Sequence, residues 1–289
     1  MHIREWQDGD DLRLLEIFGD PASAQHHYDR TMLGPSTQDP FGVCLVAEDD
    51  GVPVAAGAIR AQAIHPQRMW CFVETAPLQR RRGIAAEVFQ RLQAQLPDKD
   101  APLKARSVSG DDATATWLQH HGFAEIQRSQ RVILAAGSFT EPQHKVEQLA
   151  TGSVELSKIA AEYYNATHDW DPSALTITQA QQLLLAPSTG AQQAFVTREA
   201  GKIVAFAIAY PGPVANVVDL FVGYDPTHAD PTEHVRALLA VTGEHRSLGI
   251  DIDNSTTVLN ALLAQALDAD SALIEHESII WATDATDNA

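Results

Sequence analysis

Two parts of this 289-residue chain repeat each other at a nearly constant distance, and no other feature limits the architecture as much. Leu45-Val46, Gly51 and Val54-Ala55 recur 150 positions later as Phe195-Val196, Gly201 and Val204-Ala205. Phe72-Val73 with Pro77 recurs 149 positions later as Phe221-Val222 with Pro226. Asp111-Asp112 ahead of one helical stretch has its counterpart in Asp253-Asn254 ahead of another. Three matches in one order at almost one offset point to duplication of a single unit. The length suits two domains of about 140 residues. The best linker is Ala136-Gly137-Ser138-Phe139-Thr140-Glu141-Pro142, so the expected domains are 1–138 and 139–289.

Within the first half, strand and helix patterns alternate. Strands are expected over 2–6, 43–48, 52–60 and 69–76, with Asp49-Asp50-Gly51 as a hairpin turn. A first helix follows Asp8-Gly9-Asp10 and carries Leu12, Leu15, Ile17 and Phe18. From Gly83 the period becomes helical, with Ile84, Val88, Phe89, Leu92 and Leu96 on one stripe. A strand over 103–108 precedes a helix through Trp117 and Leu118 that Gly122 ends. Two short strands, 123–126 and 130–134, close the sheet.

The formal charge is −18, and it is unevenly spread. Residues 1–138 hold 14 Lys and Arg against 18 Asp and Glu, whereas residues 139–289 hold 6 against 20. Such a surface excludes nucleic acid and anionic membrane as partners, because phosphate backbones are bound by neutralising them. The longest apolar run, 203–210, is too short to span a bilayer, and residues 1–6 do not read as an export signal. Cys44 and Cys71 sit in apolar strand-like runs and are expected as buried thiols in a reducing cytoplasm. No Cys or His spacing resembles a zinc site, and no metal is expected.

Against this acidic background the cluster Arg80-Arg81-Arg82 calls for a local cause. It lies in Val73-Glu74-Thr75-Ala76-Pro77-Leu78-Gln79-Arg80-Arg81-Arg82-Gly83-Ile84-Ala85, which runs from a strand end through a loop into a helix. A helix N-terminus leaves N–H groups unpaired and carries partial positive charge, so it suits an anion. Gly83 keeps the approach free of a Cβ, and the arginines add charge beside a pyrophosphate.

Arg80-Arg81-Arg82-Gly83-Ile84-Ala85 resembles the R/Q-x-x-G-x-G/A signature of the GNAT superfamily of N-acetyltransferases. Leu118-Gln119-His120-His121-Gly122-Phe123 resembles that family's later helix-Gly-Phe junction. The resemblance covers residues 1 to about 135, with the remainder as a degenerate second copy of a tandem arrangement. It implies an α/β (α+β) fold of two GNAT-like domains, each a mixed, mostly antiparallel twisted sheet flanked by helices. It further implies acetyl-CoA as co-substrate. Backbone at Val73, Glu74 and Thr75 would hold the pantetheine arm, and amides through Arg80, Arg81, Arg82, Gly83, Ile84, Ala85 and Ala86 would cradle the pyrophosphate.

Acetyl transfer needs a neutral amine and a proton donor for the departing thiolate. Many family members place a tyrosine donor where this chain has Leu118, and some place a carboxylate near Met69; neither residue here transfers a proton. Glu74 is the candidate catalytic base, acting directly or through water. His26, His27, Tyr28 and Asp29 are the candidate acceptor-binding residues. His120 and His121 fit a helix C-terminus on charge grounds alone, and Trp70 and Trp117 are expected in the core. The second copy opposes Ala229, Asp230, Pro231, Thr232 and His234 to the arginine-glycine loop, and no coenzyme is expected there. The reading is therefore an N-acetyltransferase for a small amine, monomeric or homodimeric. A non-catalytic acyl-CoA-binding protein and a structural scaffold are the alternatives.

Overall fold

A computed structural model describes residues 1–21 and 23–284; the last five residues of the expected second domain lie outside the described residues. Two compact units emerge, and the chain passes between them more than once. The first comprises Met1–Ser107, Asp112–Glu125 and the chain from Ile280; the second comprises Val108–Asp111 and Ile126–Ile279.

The elements of the first repeat are β1 (His2–Glu5), α1 (Asp10–Phe18), α2 (Ala24–Arg30), β2 (Thr37–Gln38), β3 (Phe41–Asp49), β4 (Val52–Arg60), β5 (Met69–Thr75), α3 (Ile84–Gln93), β6 (Leu103–Val108), α4 (Asp112–His120) and β7 (Ala124–Leu134). Those of the second are β8 (Val146–Leu149), α5 (Val154–Ala166), α6 (Ile177–Ala180), β9 (Gln193–Glu199), β10 (Lys202–Pro211), β11 (Val217–Tyr224), α7 (Thr232–Thr242), β12 (Ser247–Asp253), α8 (Thr257–Asp268) and β13 (Ala272–Ala282). This is a mixed α/β fold in which the second series repeats the first.

In the first unit the strands run β1-β3-β4-β5-β6, antiparallel except for the parallel β5–β6 pair. In the second they run β7-β12-β11-β10-β9-β8, with β11–β12 parallel. The hairpin turns match in detail. Asp50 and Gly51 take φ of 51° and 78°, and Ala200 and Gly201 take 48° and 82°. Two successive left-handed residues make the turn whose twist suits a two-residue hairpin.

The last strand of each repeat divides between the units. β7 begins in the first unit but pairs with β12 in the second, from Ser129↔Asp253 to Leu134↔Leu248. β13 ends in the first unit, where the Thr283 N–H donates to Leu103 O and Trp281 Nε1 donates to Ser107 Oγ. The segment expected as a linker is packed in the second unit: the Gly137 N–H donates to Gly243 O and Phe139 is buried under Arg236. Residues 124–134 form one strand rather than the two expected.

Strand alternation sorts the core by face. On β10, Ala205, Ala207 and Ala209 join α7 and α8, while Phe206 and Ile208 join α5. On β4, Ala56 packs with Leu14 and Phe18 of α1. On the other face, a Cβ on Gly57 would come within 3.0 Å of Val73, Leu92 and Val88, so glycine is what lets α3 lie close on the sheet.

Helix α1 buries Asp10, Leu14 and Phe18 and leaves Leu12, Leu15 and Ile17 exposed, a rotation from the stripe expected from its apolar residues. The cause is electrostatic. Buried Asp10 accepts two hydrogen bonds from Arg4, at 2.7 and 2.8 Å, and one from the Gln7 N–H, and Arg4 also donates to Glu48 at 2.7 Å. Burial opposes the Asp10 charge, but Arg4 and the Gln7 N–H more than offset it and hold the carboxyl below its ordinary value. The Arg4 hydrogen bond does the same for Glu48.

Arg4→Ala should therefore destabilise the first unit by about 3–5 kcal/mol, the usual cost of stranding a buried charge. Because both carboxyls have depressed values when folded, this contribution is complete above their unfolded values and fades as pH falls below about 4. Denaturant titrations of parent and variant at pH 7 and pH 3.5 check it: the gap should narrow at the lower pH.

Candidate active site

Strand β5 follows β4 from Trp70 to Thr75 but pairs with β6 only at Met69↔Leu103 and Trp70↔Lys104. Beyond Trp70 the two parallel strands part. The Met69 N–H donates to Pro102 O on the β6 side, and the Ala76 N–H donates to Val54 O on the β4 side. Alternation then turns the N–H and C=O groups of Cys71, Val73 and Thr75 into the opening. An interior strand thus offers the unpaired backbone edge that proteins usually cover. Thr75 Oγ1 is buried there with no hydrogen-bond partner, which marks a place for a polar ligand atom.

At the end of β5 the chain makes a short turn at Pro77–Gln79 and reaches α3 through Arg80, Arg81, Arg82 and Gly83. Arg81 and Gly83 both take left-handed backbone, with φ of 62° and 78°. Gly83 is the N-cap of α3 and makes no side-chain capping bond. The first intrahelical bond runs from the Glu87 N–H to Gly83 O, so the amides of Ile84, Ala85 and Ala86 have no partner within the helix. A Cβ on Gly83 would meet nothing within 4 Å; the residue is needed for its φ rather than for space. Arg80 Nε donates to Thr75 O at 3.3 Å, and Arg82 reaches Asp49 Oδ2 at 3.3 Å and Gln79 Oε1. Two of the three arginines thereby brace the loop around the helix terminus, while Arg81 is exposed. Ten residues of helix with uncapped amides, flanked by guanidinium groups, form an anion cradle.

The candidate acceptor-binding residues lie on helix α2, started by Ser23 Oγ accepting from the His26 N–H. His26, Asp29 and Arg30 share one face at helical spacing and meet the sheet. Arg30 grips Glu74 in a two-pronged pair, Nε to Oε2 at 2.8 Å and Nη2 to Oε1 at 2.7 Å. His26 Nε2 lies 3.3 Å from Glu74 Oε1, and its ring faces Phe72 with centroids 6.4 Å apart. Asp29 Oδ1 accepts from Arg106 of β6 at 2.8 Å. Trp70 is half-buried, with Lys104 and Arg106 over its ring at 4.8 and 4.9 Å. One short helix is therefore tied to both parting strands. His27 and Tyr28 are exposed on its outer side.

Arg30, Lys104, Arg106 and Trp70 complete this face, and the sequence reading had not placed them at the site. The His26 to Arg30 spacing was a usable signal; their partners far along the chain were not. Leu118 is buried, and its carbonyl accepts from the Phe123 N–H where Gly122 turns at φ 82°. His121 stacks on Trp117 at 4.1 Å and bonds Trp117 O at 2.7 Å, a helix-end role. Cys71 and Cys44 are free and buried; burial pushes their thiols up to about 12 and about 11 and makes them poor nucleophiles.

The second unit builds the same place differently. β11 pairs with β12 as far as Leu220, and Tyr163, Phe206, Phe221 and Tyr224 then pack edge to face beside it. The N-cap of α7 is Pro231, and Asp230 Oδ1 already accepts from the Thr232 N–H. Pro231 matches Gly83 by helix start, one residue from the match that the sequence offset gives.

Residues 5–123, from β1 to the end of α4, match the model of the acetyltransferase (GNAT) family. No curated protein matches the sequence. Among solved structures the chain resembles a GCN5-related N-acetyltransferase from Sphaerobacter thermophilus, with TM-score 0.65 and 14% identity over 97% of this chain and 94% of that one. It resembles a tandem GNAT protein from the clavulanic acid biosynthesis pathway with TM-score 0.62 and 13% identity over 99% of both chains. Eis1 from Mycobacterium abscessus gives TM-score 0.52 and 13% identity over 98% of this chain and 73% of that one. At these identities the likeness establishes the fold. The family match lies over the parted strands, the arginine-glycine loop and α3: residues 5–123 match the acetyltransferase (GNAT) family, in a chain whose whole length has a fold like that of a tandem GNAT protein.

Proposed function

We propose that the protein transfers an acetyl group from acetyl-CoA to the amino group of a small acceptor. The observation that carries this reading is the unpaired edge of β5 leading directly to the uncapped N-terminus of α3. Val73 and Thr75 offer backbone groups to the amides of a pantetheine arm, as one strand offers them to another. The amides from Arg81 to Ala86 and the braced arginines suit a pyrophosphate, and Thr75 Oγ1 gains a partner. The coenzyme supplies an acyl group activated as a thioester.

This chain's residues then orient the amine and take its proton. Both Glu74 oxygens are engaged by Arg30, so Glu74 acts through its neighbour. Glu74 and Phe72 position His26, and His26 accepts the amine proton as the nitrogen bonds to the acyl carbon and the sulfur departs. Leu118 has no proton to give, so the thiolate is protonated from solvent. The second unit holds no coenzyme, since its helix terminus is capped by Asp230 and its parted strands are lined with aromatic rings. The acidic surface draws protonated amines toward the protein. Free thiols and net charge suit the cytoplasm, and a monomer or homodimer satisfies the site.

A second reading, acyl-CoA binding without turnover, is favoured by Leu118 and Met69, neither of which transfers a proton. Acetyl-CoA consumption with a panel of amines, amino acids and peptides separates the two: turnover of any acceptor supports transfer, and tight binding with none supports the second reading.

With an acceptor in hand, His26→Ala should lower kcat by about 10²-fold or more while the acetyl-CoA Kd stays within about twofold. Glu74→Gln should cost less in kcat and raise the acceptor KM, because it loosens α2 rather than removing the base. Parental turnover in His26→Ala would remove His26 from proton transfer.

A further inference from the structure

At the place in the second unit that corresponds to the anion cradle of the first, the side chains have the opposite character. The β11–α7 connection carries His228, and α7 carries His234 in its first turn. Glu199, at the end of β9, reaches the same spot. Among the described residues these three form the one group whose ligand atoms lie close enough for a single ion, all within 4.8 Å of one another. His228 Nε2 stands 2.9 Å from Glu199 Oε2. Ligands on one tetrahedral zinc lie about 3.3 Å apart, given bonds of about 2.0–2.1 Å, so a shift of a few tenths of an ångström would seat both.

A second observation concerns His234 itself. His234 is 4% exposed, and its Nδ1 is buried without a hydrogen-bond partner. A ring nitrogen so enclosed is normally satisfied, and a metal ion would satisfy it. The ring is also fixed, stacked on His144 with centroids 3.6 Å apart and planes 16° from parallel. The Asp230 N–H donates to His228 Nδ1 at a long 3.3 Å. Zinc at Nε2 would move the ring proton to Nδ1 and give up only that weak contact.

We propose that Glu199, His228 and His234 form a binding site for a divalent transition metal, zinc by ligand chemistry. Two imidazoles and one carboxylate leave a position for water, the donor set that suits zinc better than calcium or magnesium. The excess of acidic residues over 139–289 favours a cation there. The site would join the end of β9, the β11–α7 loop and α7, three segments distant in sequence. Where the first repeat uses main-chain amides for an anion, the second would use side chains for a cation. Cys and His spacing along the sequence gives no sign of such a group, because Glu199 comes from a hairpin in another part of the repeat.

The test uses the full chain, freed of metal with a chelator and titrated with zinc chloride by calorimetry. One zinc ion per chain should bind, cobalt chloride should give the visible absorption of a four- or five-coordinate site, and zinc should raise the unfolding temperature. His228→Ala and Glu199→Gln alter residues at the rim of the site and should keep the fold by circular dichroism. Each should weaken zinc binding by more than the roughly 10–100-fold typical of losing an outer partner. His234→Ala should do the same, and if it fails to fold the other two variants decide. Absence of zinc binding in the parent would overturn the proposal, as would binding that His228→Ala and Glu199→Gln leave unchanged.

Discussion

The first unit depends on a parallel strand pair that opens after two residues. A sheet normally satisfies every interior backbone group, and β5 leaves those of Cys71, Val73 and Thr75 turned into a gap. Such an opening persists only if something holds the strands apart and something else anchors β5. Helix α2 does the first, with Arg30 on Glu74 of β5 and Asp29 on Arg106 of β6. The antiparallel partner β4 does the second, with Gly57 letting α3 press close behind Val73. The same α3 presents its free amides at the end of the opening. One departure from regular pairing therefore places an unpaired backbone edge beside a helix terminus with free amides, the two features on which the proposed coenzyme site rests.

The two repeats keep one architecture while differing in the residues at the corresponding helix start and strand opening. The hairpins, turns and helix order persist, down to left-handed backbone at Asp50-Gly51 and Ala200-Gly201. What changes is local. Gly83 becomes Pro231, an uncapped helix start becomes one capped by Asp230, and aromatic rings gather beside the parted strands. Tyr163 is fully buried among them, its hydroxyl without a partner and its ionisation pushed up by burial. The cores on the faces of β4 and β10 are built from residues outside the altered loop.

Much of this was legible in the sequence because it is written in local patterns. The repeat offset, the Asp49-Asp50-Gly51 turn, the α3 stripe and the Arg80–Ala85 loop each depend on residues close together in the chain. Features that failed to show depend on distant partners. Asp10 is buried because Arg4 and Glu48 neutralise it, and that rotates α1 away from its most apolar face. Helix α2 is only seven residues long and mostly polar, so nothing in its pattern separates it from a loop. The division of β7 and β13 between the units is invisible because each is one continuous eleven-residue strand. Glu74 lies on β5, as its local strand pattern suggests, while its arginine fork comes from a residue 44 positions away and has no trace in that pattern.

The central claim is that one repeat keeps the coenzyme geometry and the other has lost it. Calorimetric titration of the full chain with acetyl-CoA tests this most directly, with Gly83→Asp as the comparison. Aspartate at that position would place a negative charge at the cradle and strain a left-handed backbone. The account predicts one acetyl-CoA per chain in the parent and none detectable in Gly83→Asp. Two acetyl-CoA molecules per chain, or a single site that survives Gly83→Asp, would contradict it.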